Sequence, residues 1–123
     1  MSKLIYEENS YRINGLLFEI YNELGYGHRE RTYQQAFAQQ LLEAKLPFRR
    51  EVYLPVYFRE KLVSKYFLDF LIDDKIIVEI KVANDFYQSD VGQILAYLKE
   101  KNCRLGILTL FTESGVRIKR IVN

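Results

Sequence analysis

Apolar positions fall into two rhythms along the chain, and the switches between them predict the order of elements. Ile13, Leu16, Leu17, Ile20 and Leu24 recur at helical spacing and predict a helix over residues 10–24, with Asn9 or Ser10 as its cap. Gly25-Tyr26-Gly27 breaks it. A second helix is expected over residues 30–45, stopping near Pro47. The stretch 51–58 alternates as a strand does, although Pro55 lacks an amide donor and confines it to an edge or a bulge. Tyr66 to Ile72 and Lys75 to Val82 read as adjacent strands that turn at Asp73-Asp74. Residues 89–101 form an amphipathic helix, and Leu105 to Phe111 and Val116 to Val122 close the chain as strands around Glu113-Ser114-Gly115. Two helices, three strands, a helix and two strands make an α/β chain, with a central mixed sheet of about five strands flanked by helices.

Composition narrows the class. The 123 residues suit a single domain, 1–123, and 49% hydrophobic residues suffice for a packed core. No run approaches the roughly 20 apolar residues of a membrane span, and the polar start lacks the apolar centre of a secretory signal. A lone cysteine, Cys103, excludes an internal disulfide or a multi-cysteine zinc site. The expectation is a cytoplasmic protein with no membrane partner. The net charge of +2 is unevenly spread. Residues 1–30 hold three cations against five acids, a balance of −2, whereas residues 45–65 hold six cations against two acids, a balance of +4. Such a basic stretch is compatible with a polyanionic partner and equally with solvated strand faces.

Three acids and a lysine stand where structure alone gives little reason for them. In Lys75-Ile-Ile-Val-Glu-Ile-Lys81 the apolar residues mark a central strand, yet Glu79 and Lys81 share one face of its second half. Burying both costs several kcal/mol unless something compensates, or the strand end emerges into water. Asp69 is the only charged residue among the strand formers Tyr66 to Ile72, where aspartate is disfavoured. A two-residue turn at Asp73-Asp74 would set Asp69 opposite Val78 and send Asp69 and Glu79 to opposite faces. A three-residue loop, Asp73-Asp74-Lys75, would set Asp69 opposite Glu79. Glu30 heads the stripe Tyr33, Phe37, Leu41 on the core side of the second helix, where a first-turn acid also suits the helix dipole. On the third helix Val91, Ile94, Leu95 and Leu98 form the packing stripe, with Gln93 and Tyr97, four apart, together on another side roughly opposite it.

Asp69 followed after nine residues by Glu79-Ile80-Lys81 resembles the D…ExK pattern of the PD-(D/E)xK nuclease superfamily, with Leu68 where a proline often precedes the Asp. Gln93-Ile-Leu-Ala-Tyr97 resembles the QxxxY motif of its exonuclease branch, and Gly27-His-Arg-Glu30-Arg-Thr-Tyr33 is similar to the motif of the GxxExxY family. The resemblance implies a restriction-endonuclease-like core and a metal-dependent nuclease, DNA being the first expectation for its nucleic-acid partner. It implies Asp69, Glu79, Lys81, Glu30, Gln93 and Tyr97 as catalytic residues. Asp69, Glu79, Glu30 and the Ile80 carbonyl would serve as oxygen ligands of Mg²⁺ or Mn²⁺. Arg49, Arg50, Lys61 and Lys65 are the candidate phosphate contacts. A catalytically silent nucleic-acid- or partner-binding module on the same fold is the competing reading. The small core and the strand around Pro55 point to a homodimer or larger assembly.

Overall fold

The computed structural model describes residues 6–123; the first five residues, Lys3 among them, lie outside what it describes. Helices α1 (Glu7–Leu24) and α2 (Glu30–Glu43) precede strands β1 (Phe48–Phe58), β2 (Lys61–Ile72) and β3 (Ile76–Val82). Helix α3 (Gln88–Glu100) and strands β4 (Leu105–Thr112) and β5 (Gly115–Val122) follow. The five strands form one sheet in the order β1-β2-β3-β4-β5. The β3–β4 pair is parallel, joined across α3, and the other pairs are antiparallel. The mixed sheet is as expected, and it shares the restriction-endonuclease-like α/β architecture.

The sheet has two buried faces. Ile76, Val78 and Ile80 of β3, with Ile107 and Phe111 of β4, pack against Leu17 and Ile20 of α1 and Tyr33, Phe37 and Leu41 of α2. Ile77 and Leu108 point the other way, to Ile94 and Leu98 of α3. This double burial explains why β3 and β4 read as continuous apolar runs. Gly106 lets α3 approach, because a Cβ there would overlap Ile94 Cγ2. Gly106→Ala is therefore expected to destabilise the fold by about 1–3 kcal/mol through overpacking, checked by urea unfolding.

Differences from the expected boundaries have local causes. Helix α1 starts at Glu7, and Ser10 is no cap: its buried hydroxyl donates to the Glu7 carbonyl at 3.3 Å and accepts from Arg120 at 2.7 Å. Strands β1 and β2 are longer than their alternation shows, because each lends the other a partner from Phe48↔Ile72 to Phe58↔Lys61. Pro55 lies, as expected, on an edge strand, and a register shift follows at Val56/Tyr57.

One irregularity positions the chemistry. Phe48 packs on the α1/α2 side, and Arg50 lies over Phe70 of that cluster, while Val52 and Leu54 pack on the α3 side. On β2, Phe70 belongs to the first side and Leu68 to the second. Residues two apart thus point to opposite faces in both strands. The breaks fall at Glu51, whose φ is 51°, and at Asp69, the two positions missing from an otherwise continuous ladder between Arg50↔Phe70 and Val52↔Leu68. Beyond this point the β1–β2 hairpin leaves β3 and runs on alone as an arm.

Candidate active site

Strands β2 and β3 pair at Ile72↔Ile76, Leu71↔Ile77 and Phe70↔Val78, so their loop is Asp73-Asp74-Lys75. The Lys75 amide closes it onto the Ile72 carbonyl at 3.0 Å, and Asp73 and Asp74 take left-handed φ values of 53° and 54°. Aspartate tolerates that region better than most residues. The three-residue alternative therefore holds, and it keeps Asp69 in phase with Glu79. The ladder ends at Phe70↔Val78, where the strands fork. There the two acids replace the missing backbone bonds: Glu79 Oε1 accepts from the Asp69 amide, and Asp69 Oδ2 accepts from the Ile80 amide at 2.8 Å. The two carboxylates meet in the fork instead of diverging across the sheet.

Glu30 arrives from α2. Gly25 and Gly27 take positive φ values of 71° and 116°, which only glycine adopts cheaply, and turn the chain from α1 into α2. The Tyr33 hydroxyl pins that turn, donating to the Gly25 carbonyl at 2.7 Å and accepting from the His28 amide at 3.3 Å. Glu30, at the head of the buried stripe as expected, accepts from the Val82 amide through Oε2 at 3.2 Å. The spacing of Gly27, Glu30 and Tyr33 thus has a mechanical reading: a turn, an acid delivered to the end of β3, and a tyrosine that holds the turn. His28, an exposed loop residue, contacts the Leu24 carbonyl and stays out of the site.

The fork is electrostatically tense. Burial, followed by the neighbouring Asp69 charge, pushes the Glu79 carboxyl up to about 8, against the pull of the Asp69 amide and Lys81. Burial likewise raises Asp69 to about 6, with Glu30 adding to the rise, while the Ile80 amide, Lys81 and Gln34 oppose it. Lys81 Nζ stands 3.7 Å from Glu79 Oε2. Burial alone would lower the Lys81 pKa, but Glu79, Glu30, Asp90 and Asp69 outweigh it and raise it above the usual lysine value. The side chain is an ammonium, suited to stabilising anionic charge and unsuited to removing a proton.

Asp69, Glu79 and Lys81 are brought together, with Glu30 at the Val82 amide within electrostatic range of Asp69 and Lys81; Tyr97 is not. It is 2% exposed and packs with Leu71 and Ile77 in the α3-side core. This corrects its expected place roughly opposite the packing stripe: three residues from Ile94 and one from Leu98, it borders the same helical face. Its ionisation is raised by burial and then by Cys103, with Arg49 and Asp74 also within range. Those residues surround the start of β3 at Ile76, three residues or about 10 Å from Glu79 along the strand. Gln93, half-buried, lies between Tyr97 and the α3 start. Of the candidate phosphate contacts, Arg49 pairs with Asp74 at 3.2 Å and Arg50 bonds Gln35 at 2.6 Å. Lys61 and Lys65 are exposed on the arm.

Two residues that act on the fork escaped the sequence reading. Gln34 favours the ionised form of Asp69, and Asp90, in the first turn of α3, acts on Glu79 and Lys81. Gln34 is four residues from Glu30 and so on its helical face, a signal that was available. Asp90 looked like any first-turn acid.

Two carboxylates whose pKa values are raised by burial, that of Glu79 further by the Asp69 charge and that of Asp69 by Glu30, are a donor set that a hard divalent cation would relieve. Among the described residues, no three His, Cys, Asp or Glu side chains stand together as a ready metal cage.

No curated protein sequence matches the chain. The crystal structure of the protein SSO0001 is similar over 94% of this chain at 18% identity, with a TM-score of 0.61, and shares the fold. The chain spans 62% of that protein's length. An alkaline exonuclease from Laribacter hongkongensis aligns with 100% of this chain and 72% of its own at 12% identity and a TM-score of 0.49. Among the described residues no helix is long and apolar enough to cross a membrane. The family model of the PD-(D/E)XK nuclease superfamily matches residues 7–121, and the chain belongs to that superfamily.

Proposed function

We propose that the chain is a metal-dependent nuclease that hydrolyses phosphodiester bonds, DNA being its first expected substrate. The reading rests on one observation: at the β2–β3 fork Asp69 and Glu79 converge, each bonded to the other's strand, with the Lys81 ammonium 3.7 Å from Glu79. Asp69 and Glu79 would hold Mg²⁺ or Mn²⁺, the Ile80 carbonyl and Glu30 being further candidate ligands directly or through water. Bound there, the ion supplies positive charge to the phosphoryl group and acidifies a water. The Lys81 charge, beside Glu79, would stabilise the pentacovalent phosphorane. Glu79, Glu30 and Asp90 favour the charged form of Lys81, and Gln34 favours the ionised form of Asp69 against the burial that opposes it.

Gln93 would face the substrate backbone from α3, while Tyr97 anchors that helix in the core. Lys61, Lys65, Arg49 and Arg50 would meet phosphates, the two arginines after leaving Asp74 and Gln35. The Gly27–Glu30–Tyr33 turn supports a place in the GxxExxY group within the superfamily. An edge strand at β1 makes a homodimer or larger assembly the natural quaternary expectation.

The test is a panel of labelled DNA and RNA strands and duplexes with Mg²⁺, Mn²⁺ or EDTA, comparing wild type with Lys81→Ala. Wild type is expected to cut with either metal and not with EDTA, and Lys81→Ala to lose at least about a hundredfold in rate. Equal rates for the two proteins would refute the assignment. Binding without cleavage by wild type would favour the silent module.

A further inference from the structure

The β1–β2 arm carries a feature that the catalytic residues leave unexplained. Past the breaks at Glu51 and Asp69, Val52, Leu54 and Leu68 pack toward α3. Alternation therefore sets Tyr53 and its cross-strand partner Phe67 on the face of the arm opposite Val52, Leu54 and Leu68, and Tyr57 follows beyond the register shift at Val56/Tyr57. Their rings are 45%, 55% and 62% exposed, and those of Tyr53 and Phe67 lie 5.4 Å apart between centroids. Lys65, opposite Pro55, separates the Tyr53–Phe67 pair from Tyr57. The tip adds Arg59 and Lys61 against the single acid Glu60. The arm is continuous with Asp69, since β2 runs from Lys61 through it to Ile72.

We propose that this ribbon is a stacking platform for an unpaired, single-stranded segment of nucleic acid, which it delivers to the fork. The inference rests on the nuclease reading and adds the form of the substrate. Exposed rings interleaved with cations are what an unstacked strand needs: flat surfaces for its bases and positive charge for its phosphates. Duplex bases are stacked on one another and offer no free faces to such rings. A second copy of the chain fits the ribbon less well. A twofold contact would set this patch against itself, bringing Lys65, Lys61 and Arg59 toward the same cations of the partner.

The experiment is fluorescence anisotropy in EDTA, where binding is read without cleavage. The probes are a labelled oligothymidylate of about 15 nucleotides and a blunt duplex of the same length. The double variant Tyr53→Ala/Phe67→Ala is expected to bind the single strand at least tenfold more weakly than wild type, with the duplex affected less than threefold. Lys65→Ala should lower the slope of log K against log salt by about 0.7 for the single strand. Tyr53→Phe, which keeps the ring, should bind as wild type, separating loss of stacking from loss of folding. Wild-type affinity in the double variant, no binding by wild type, or a wild-type dimer that falls apart on the double substitution would each overturn the proposal. Arm-dependent binding with no cleavage under Mg²⁺ would sink the nuclease reading and leave the platform standing; cleavage untouched by the arm variants would do the reverse.

Discussion

Asp69→Asn is expected to abolish Mg²⁺-dependent cleavage while leaving the fold in place. The amide oxygen of asparagine can still accept from the Ile80 amide, so the bond that closes the fork survives. What disappears is the negative charge that would hold the cation. Removing an outer partner of a metal ligand typically costs about 10–100-fold, and removing the ligand's own charge should exceed that. Single-turnover assays at saturating Mn²⁺ and Mg²⁺, beside an unchanged circular dichroism spectrum, make the measurement. A variant that retains a tenth or more of wild-type activity would show that Asp69 is a structural bridge and nothing more.

Glu79→Gln should raise stability while also abolishing cleavage. Glu79 is 4% exposed and sits beside Asp69, so in metal-free protein the two charges oppose folding. Both folded-state pKa values lie above the ordinary values of 4.5 and 3.8, so protonation favours the folded state. Their contribution is fully present below about pH 4 and is lost as pH rises through about 6 for Asp69 and then about 8 for Glu79. Wild type in EDTA should therefore melt at progressively lower temperature between pH 5 and about pH 8.5. Glutamine keeps an acceptor for the Asp69 amide and removes one charge, so at the upper end of that range the variant should melt roughly 10 °C higher. Mn²⁺ should raise the wild-type melting temperature most at high pH, because it competes with the proton for the same oxygens. A flat wild-type profile, or a variant that melts below wild type at pH 8.5, would contradict the strained fork. The pairing of greater stability with lost activity is the expected mark of a site whose charges oppose folding.

The elements themselves were legible. Helical and strand rhythms placed all eight, because periodic burial is a local property of sequence. The acids were legible too, since Asp69 among strand formers and Glu79 with Lys81 in an apolar strand violate the pattern that surrounds them. Gln34 could have been found from its spacing to Glu30. Tyr97 was misplaced because a tyrosine at the border of a helical stripe satisfies both a wet and a buried reading, and only the approach of α3 over Gly106 chooses between them.

The order of elements, the mixed sheet, and the identity of the acids and the lysine follow from residue chemistry at short range, where side-chain size, polarity and backbone preference act. The meeting of those groups does not. It depends on a three-residue loop with two left-handed aspartates, on a ladder that ends at Phe70↔Val78, and on face reversals at Glu51 and Asp69. Each is a compromise between strands distant in sequence: a non-glycine residue accepts an unfavourable φ only because the packing on both sides of the sheet repays it. Short-range preference therefore named the reacting groups, and long-range packing brought them to one place.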